Sequence, residues 1–270
     1  MAWFKRSSRF RILATILLAA LTLCLVVNIP AQVQAQLRPS FLMSKLPDQL
    51  PDRWDLGFRA PRGPGGPAPD NTASGGTRNP DSGYGCKGAK GIPVSLVPAP
   101  SLTGTTIADY PSFFWYMPPT SAPAAEFLLL DAQGEDIYRA QYTLAKSTQD
   151  ANSTPSIMSF SLPAYANISP LSVGEKYHWT LALICDPLDR SGDIATEGWI
   201  QRVQPDATLA SRIQQATPQE RIALYANARL WYETLTTLDE LRRDRPDNTD
   251  LAQAWNKLLK SAGLELIAQK

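Results

Sequence analysis

Between residues 92 and 204 the apolar positions fall into short alternating runs, and beyond Pro205 they recur at the spacing of a helix face. Runs at 94–97, 113–117, 126–130, 137–144, 157–162, 176–185 and 199–203 are separated by turn residues such as Pro98 and Pro100, Pro118-Pro119, Gln133-Gly134 and Ser191-Gly192. The clearest run spans 177–185, where Tyr177, Trp179, Leu181, Leu183 and Cys185 take the odd positions and so share one face of an extended strand. About seven short strands at this spacing, with no helical periodicity between them, predict an antiparallel β-sandwich of immunoglobulin-like type.

The helical signals begin at Thr217-Pro218-Gln219-Glu220, a capping box with proline in the first helical position. Leu224, Ala228, Trp231, Leu235 and Leu238 follow at alternating spacings of four and three, which predicts one apolar stripe. Arg242, Arg243 and Arg245 complement the helix C-terminus and Pro246 stops it. A second helix is predicted from about Asp250, with Leu251, Trp255, Leu258 and Ala262 on one side and Gly263-Leu264 as its cap. A shorter segment at 207–215 precedes both. The expected fold class is mixed β + α: a β-sandwich domain over 92–204, then an α-helical hairpin within 205–268 packed on it.

The first 91 residues follow neither pattern. Lys5, Arg6, Arg9 and Arg11 precede a mostly apolar stretch at 12–27, and Val33-Gln34-Ala35 fits a signal-peptidase site, so residues 1–35 read as an export signal. The stretch is short of the ~20 apolar residues a spanning helix needs, so no stable membrane span is expected after cleavage. Residues 36–91 read as a flexible tether: proline and glycine make up 18 of the 54 residues from 38 to 91, too little apolar mass to offset ordering the backbone. Trp54, Leu56 and Phe58 form an apolar island there, expected either to dock back on the domain or to serve as a short partner motif.

Export fixes the compartment as periplasmic or secreted, and the charge limits the partners. Losing the four basic residues of the signal takes the formal charge from +1 to −3, with no concentrated basic face, so no nucleic-acid partner is expected. Cys86 and Cys185 are the two cysteines left after cleavage, an even count in an oxidising space, and are expected to form a disulfide.

Signatures of catalysis are missing. His178 is the single histidine, so a two-histidine zinc site is excluded; it reads as a structural or surface residue, with a general base as the alternative. Gly83 to Gly88 match G-x-G-x-x-G, but with neither a strand before nor a helix after, so the match reads as a turn around Cys86. Asp186, Asp189 and Asp193 are weak candidates for Ca²⁺, with a spacing foreign to EF-hands and Arg190 among them; a solvated turn is the plainer reading. No metal and no cofactor is expected. In the densest aromatic run, 110–119, alternation puts Phe113, Trp115 and Met117 on one face and Phe114 with Tyr116 on the other. One face is expected in the core and the other either beneath the helices or exposed as a platform, which makes Phe114, Trp115 and Tyr116, together with Trp199, the candidate binding surface.

Several stretches together resemble an uncharacterised exported family of cyanobacteria known as domain of unknown function 928. They are Ser74-Gly75-Gly76-Thr77-Arg78 before Cys86, the run from Tyr110 to Tyr116, Tyr177-His178-Trp179 leading to Cys185-Asp186, residues 230–235, and residues 255–259. The family shows three glycines before the Thr-Arg pair, and Ser74 replaces the first. The resemblance implies an envelope or secreted location and no assigned activity. The expectation is thus an exported, non-enzymatic binding or scaffold protein with an envelope protein partner. The alternatives are a carbohydrate-binding module and an envelope hydrolase with a carboxylate dyad.

Overall fold

Strands form wherever the sequence alternates, and at one further place where it does not. The computed structural model describes residues 50, 51, 58, 86, 91–145 and 155–268. The predicted signal and nearly all of the predicted tether, including the glycine match apart from Cys86, lie outside the described residues. In chain order the strands are β1 Val94–Ser95, β2 Thr103–Thr106, β3 Ser112–Met117, β4 Ala124–Leu130, β5 Asp136–Thr143, β6 Ser156–Ser161, β7 Lys176–Ile184 and β8 Ile194–Arg202. They make a three-stranded sheet in the order β1-β3-β6 and a five-stranded sheet in the order β2-β8-β7-β4-β5. All pairs are antiparallel except β2 with β8, which run parallel from Thr103 opposite Trp199 to Thr106 opposite Arg202.

Period-2 alternation decides what β7 buries: Tyr177, Trp179, Leu181 and Leu183 point into the core, as predicted. Phe113 of β3 meets Phe127 of β4 at 4.9 Å and Trp179 at 5.5 Å between ring centroids, joining the two sheets through aromatic contacts. Strand β2 was invisible to a search for apolar alternation, because Thr103-Gly104-Thr105-Thr106 contains no large apolar residue. Strand β8 begins five residues before the predicted run, its inward side carried by Ile194, Thr196, Gly198 and Ile200.

Five helices follow: α1 Ala207–Gln215, α2 Pro218–Asn227, α3 Trp231–Asp244, α4 Thr249–Ser261 and α5 Glu265–Ala268. The capping box is present, Thr217 accepting from the Glu220 amide while the Glu220 side chain accepts from the Thr217 amide. The stripe from Leu224 to Leu238 does not lie on one helix. Arg229 takes φ of +60° and breaks it into α2 and α3. Leu230 follows at the N-cap without a side-chain cap bond. Spacing alone could not reveal this break, since the apolar stripe continues in register across it. Beyond α4, Gly263 has φ of +80° and the Leu264 amide donates to Leu259, the glycine cap expected there.

Helix α3 enters the fold through its first two residues. Trp231 is fully buried and its indole N–H donates to the Leu96 carbonyl at 2.8 Å. The Tyr232 hydroxyl accepts from Trp179 Nε1 at 3.0 Å and donates to the Trp199 carbonyl at 3.1 Å. A glycine is needed opposite them: a Cβ on Gly104 would stand 2.8 Å from ring atoms of both Trp231 and Tyr232. At its other end α3 is tied to α4 by the Arg242 guanidinium, 4.4 Å above the Trp255 ring.

Among the described residues ahead of β1, Phe58 and Cys86 are buried and Leu50 packs against the core. The Phe58 ring packs edge-on against Trp231 at 5.0 Å and is 8% exposed, so that member of the apolar island docks on the domain. Cys86 is bonded to Cys185 at the end of β7, the predicted disulfide.

Candidate functional site

The predicted aromatic surface is divided between the core and the outside. Phe114, Trp115 and Tyr116 are 2, 5 and 5% exposed, so they are packing residues and not a platform. Trp115 lies on the core side of β3. Phe114 lies opposite Ser159 in register, and Ser159 accepts from Arg243 of α3, so this side of the three-stranded sheet lies under the helix. Trp199 alone of the four reaches the surface, half-buried on the outward side of β8.

Around Trp199 the register builds a face from five strands. Thr103, Trp199, His178 and Leu130 stand side by side across β2, β8, β7 and β4; Glu197, Thr180, Leu128 and Arg139 form the next row across β8, β7, β4 and β5. His178 stacks on Trp199 with centroids 4.6 Å apart and planes at 27°, and its Nε2 lies 3.0 Å from Glu197 Oε2. His178 is thus a surface residue in a fixed pair. The next outward residue of β4, Glu126, accepts from Arg190 at 3.2 Å and lies 3.5 Å from Arg139. Glu197, Thr180 and Leu128 share the face because they alternate with buried Thr196, Leu181 and Phe127; Thr180 and Leu128 lie in predicted strands, whereas Glu197 precedes the predicted start of β8.

The three aspartates do not converge on a point. Asp186 accepts from the Leu188 amide at 2.8 Å, Asp189 from the Ser191 amide at 3.0 Å, and Asp193 from the Cys185 amide at 3.1 Å while pairing with Arg190. Their carboxylates organise the β7–β8 loop and its short 3-10 turn, Arg190–Gly192. Among the described residues no group of three or more side chains is arranged to hold a metal ion, and no helix is long and apolar enough to cross a membrane.

The carboxyl group of Glu233 is buried, which the sequence pattern does not signal. Glu233, in the first turn of α3, accepts from the Ile107 amide at 2.8 Å, the Ala108 amide at 3.1 Å and the Thr106 hydroxyl, all through Oε1; Oε2 is buried without a partner. Burial holds this carboxyl above the ordinary carboxylate range, the hydrogen bonds from Thr106, Ile107 and Ala108 pulling the other way. As pH rises from the ordinary value the unfolded chain ionises first, so this group lowers stability until the folded carboxyl ionises too. Glu233→Gln keeps an acceptor and removes the ionisation. Denaturant melts between about pH 4 and about pH 7 are expected to show wild type losing ~1.4 kcal/mol relative to the variant for each pH unit separating the two carboxyl values. Parallel stability profiles would mean that the group ionises alike in both states.

A two-sheet β protein with appended helices, one disulfide and a polar-aromatic outer face is the class these features define. The family described as Domain of Unknown Function (DUF928) matches residues 73–270, well over half of the chain, and the chain belongs to that family. No curated protein matches it. Among solved structures, the fn3 domain of the human collagen alpha-1(XX) chain is similar at 15% identity, over 37% of this chain and 74% of that one. Its TM-score of 0.22 is too low to carry an argument about the fold.

Proposed function

We propose that this is an exported, non-enzymatic binding or scaffold protein of the cell envelope, holding a protein partner on the outward face of the five-stranded sheet. In this reading the two sheets form an immunoglobulin-like sandwich, and the C-terminal helices, a hairpin in their main pair, cover one side of it. The observation that carries the reading is the asymmetry of the sheets: α3 meets β2 and β3, whereas the outward side chains of β4, β7 and β8 stay half-buried around the Trp199–His178 stack. Contact centres are enriched in aromatic residues and rimmed by polar ones, and here an aromatic ring is held in one orientation on a face shared with Leu130, Leu128, Glu197 and Arg139. Export rests on the basic and apolar segments at 1–27 and on a disulfide that suits an oxidising compartment. A hydrolase is less well supported. Glu233 is tied to three donors in the core, and Glu197 faces His178.

A carbohydrate ligand is the second reading, favoured by Trp199 beside the polar side chains of Thr103 and Gln201. The test is affinity capture of tagged mature protein from crosslinked native envelopes, comparing wild type with Trp199→Ala. A single protein partner whose recovery falls about tenfold in the variant supports the first reading. Equal recovery from both forms overturns the proposed face. Glycan binding without any protein capture moves the assignment to the second reading.

A further inference from the structure

The β7–β8 loop holds one side chain in an unusual position. Leu188 is 96% exposed, and the loop that presents it is braced at every step. Cys185 at its base is tied by the disulfide, and its amide donates to Asp193. Asp186 accepts from the Leu188 amide through its side chain and from the Asp189 amide through its carbonyl, at 2.8 and 3.2 Å. Asp189 accepts from Ser191, Arg190 pairs with Asp193, and a second arm of Arg190 reaches Glu126 on β4.

A lone exposed leucine on a mobile loop would need no explanation. Here the rotations that binding would have to freeze in the backbone are already restrained, and the cost of ordering a loop on association is correspondingly low. The bracing also fixes the surrounding charge. Arg190 pairs with Asp193 and Glu126, while Asp186 and Asp189 accept from backbone amides in the hydrogen bonds above, so among the described residues the leucine stands between two carboxylates that no salt bridge compensates. An anionic lipid surface would repel such a tip.

We infer that the β7–β8 loop is a preformed recognition loop whose Leu188 enters an apolar pocket, rimmed by lysine or arginine side chains, on a protein partner. The inference rests on the reading of this chain as a protein-binding protein and specifies the partner's chemistry. Through the Arg190–Glu126 contact the loop is continuous with the outward sheet face, so one partner can cover both.

The experiment places a photo-crosslinking phenylalanine analogue at Leu188, at Thr180 on the sheet face, or at Tyr165, which is 91% exposed on the β6–β7 loop, in the full chain within native envelopes. The protein crosslinked from position 188 is then purified and titrated with variants. Leu188→Ala is expected to weaken its binding about tenfold and Leu188→Asp more, with Leu188→Met within about threefold of wild type and all melting temperatures unchanged. Asp186→Asn with Asp189→Asn keeps the amide acceptors and is expected to reduce the salt dependence of binding. Crosslinks from 180 with Leu188→Ala binding as wild type would overturn the anchor and leave the face intact. No protein adduct from either 188 or 180 would overturn both readings. Adducts from 188 to lipid, to a second copy of the chain, or to the same proteins as Tyr165 would overturn the inference.

Discussion

Trp231→Ala is expected to destabilise the protein by about 3–5 kcal/mol, the usual cost of emptying a large aromatic site. Three separate contacts are lost together. The ring is fully buried, its N–H satisfies the Leu96 carbonyl, and Phe58 packs against it nearly at right angles. A carbonyl left without its donor in the core adds to the cavity. Tyr232→Phe supplies the comparison: the ring stays, while Trp179 Nε1 loses its acceptor, at an expected cost of about 1–3 kcal/mol. Urea denaturation followed by tryptophan fluorescence and by far-ultraviolet dichroism measures both. Coincident transitions in wild type would establish that helices and sheets unfold as one unit. A Trp231→Ala cost below about 1 kcal/mol would mean that α3 docks without supporting the sheets.

Replacing Cys86 and Cys185 by serine is the second large effect, with an expected loss of about 2–5 kcal/mol. The bond closes a sequence separation of 99 residues, and long closures restrict the unfolded chain most. Thiol titration of denatured, unreduced protein lacking residues 1–35 should find no reactive cysteine, and reduction should expose two. Two thiols before reduction would show that the bond does not form, and the double serine variant would then be nearly neutral.

These two sites also show what was and was not legible beforehand. The cysteine pairing follows from an even count together with the expectation of export, and the inward face of β7 follows from alternation, because both depend on local or purely arithmetic features. Trp231 was placed on a helical stripe, but its role in closing the gap at Gly104 depends on a contact more than a hundred residues away. Alternation divides the aromatic run at 113–117 into two faces but does not say which of them is exposed. Both of its faces are apolar, and whether the second is covered depends on where α3 lies. Leu188 carries no signal, since a leucine between aspartates is conspicuous only beside the hydrogen bonds and the disulfide that hold its loop. The break at Arg229 was hidden for the opposite reason, an apolar pattern that continues through it.

The Cys86–Cys185 bond also sets how the molecule carries mechanical load. Tension applied to the chain ahead of residue 86 and at the C-terminus passes through the bond straight to the end of β7. Everything from β1 to β7 then lies in a covalently closed bypass that the force cannot lengthen. The strain falls on β8, pulled along its own axis between β7 and the parallel β2, so its hydrogen bonds are sheared together and not opened one at a time. A protein held by its N-terminal segment would therefore yield first in the helices, then at β8, with the remaining strands shielded from tension.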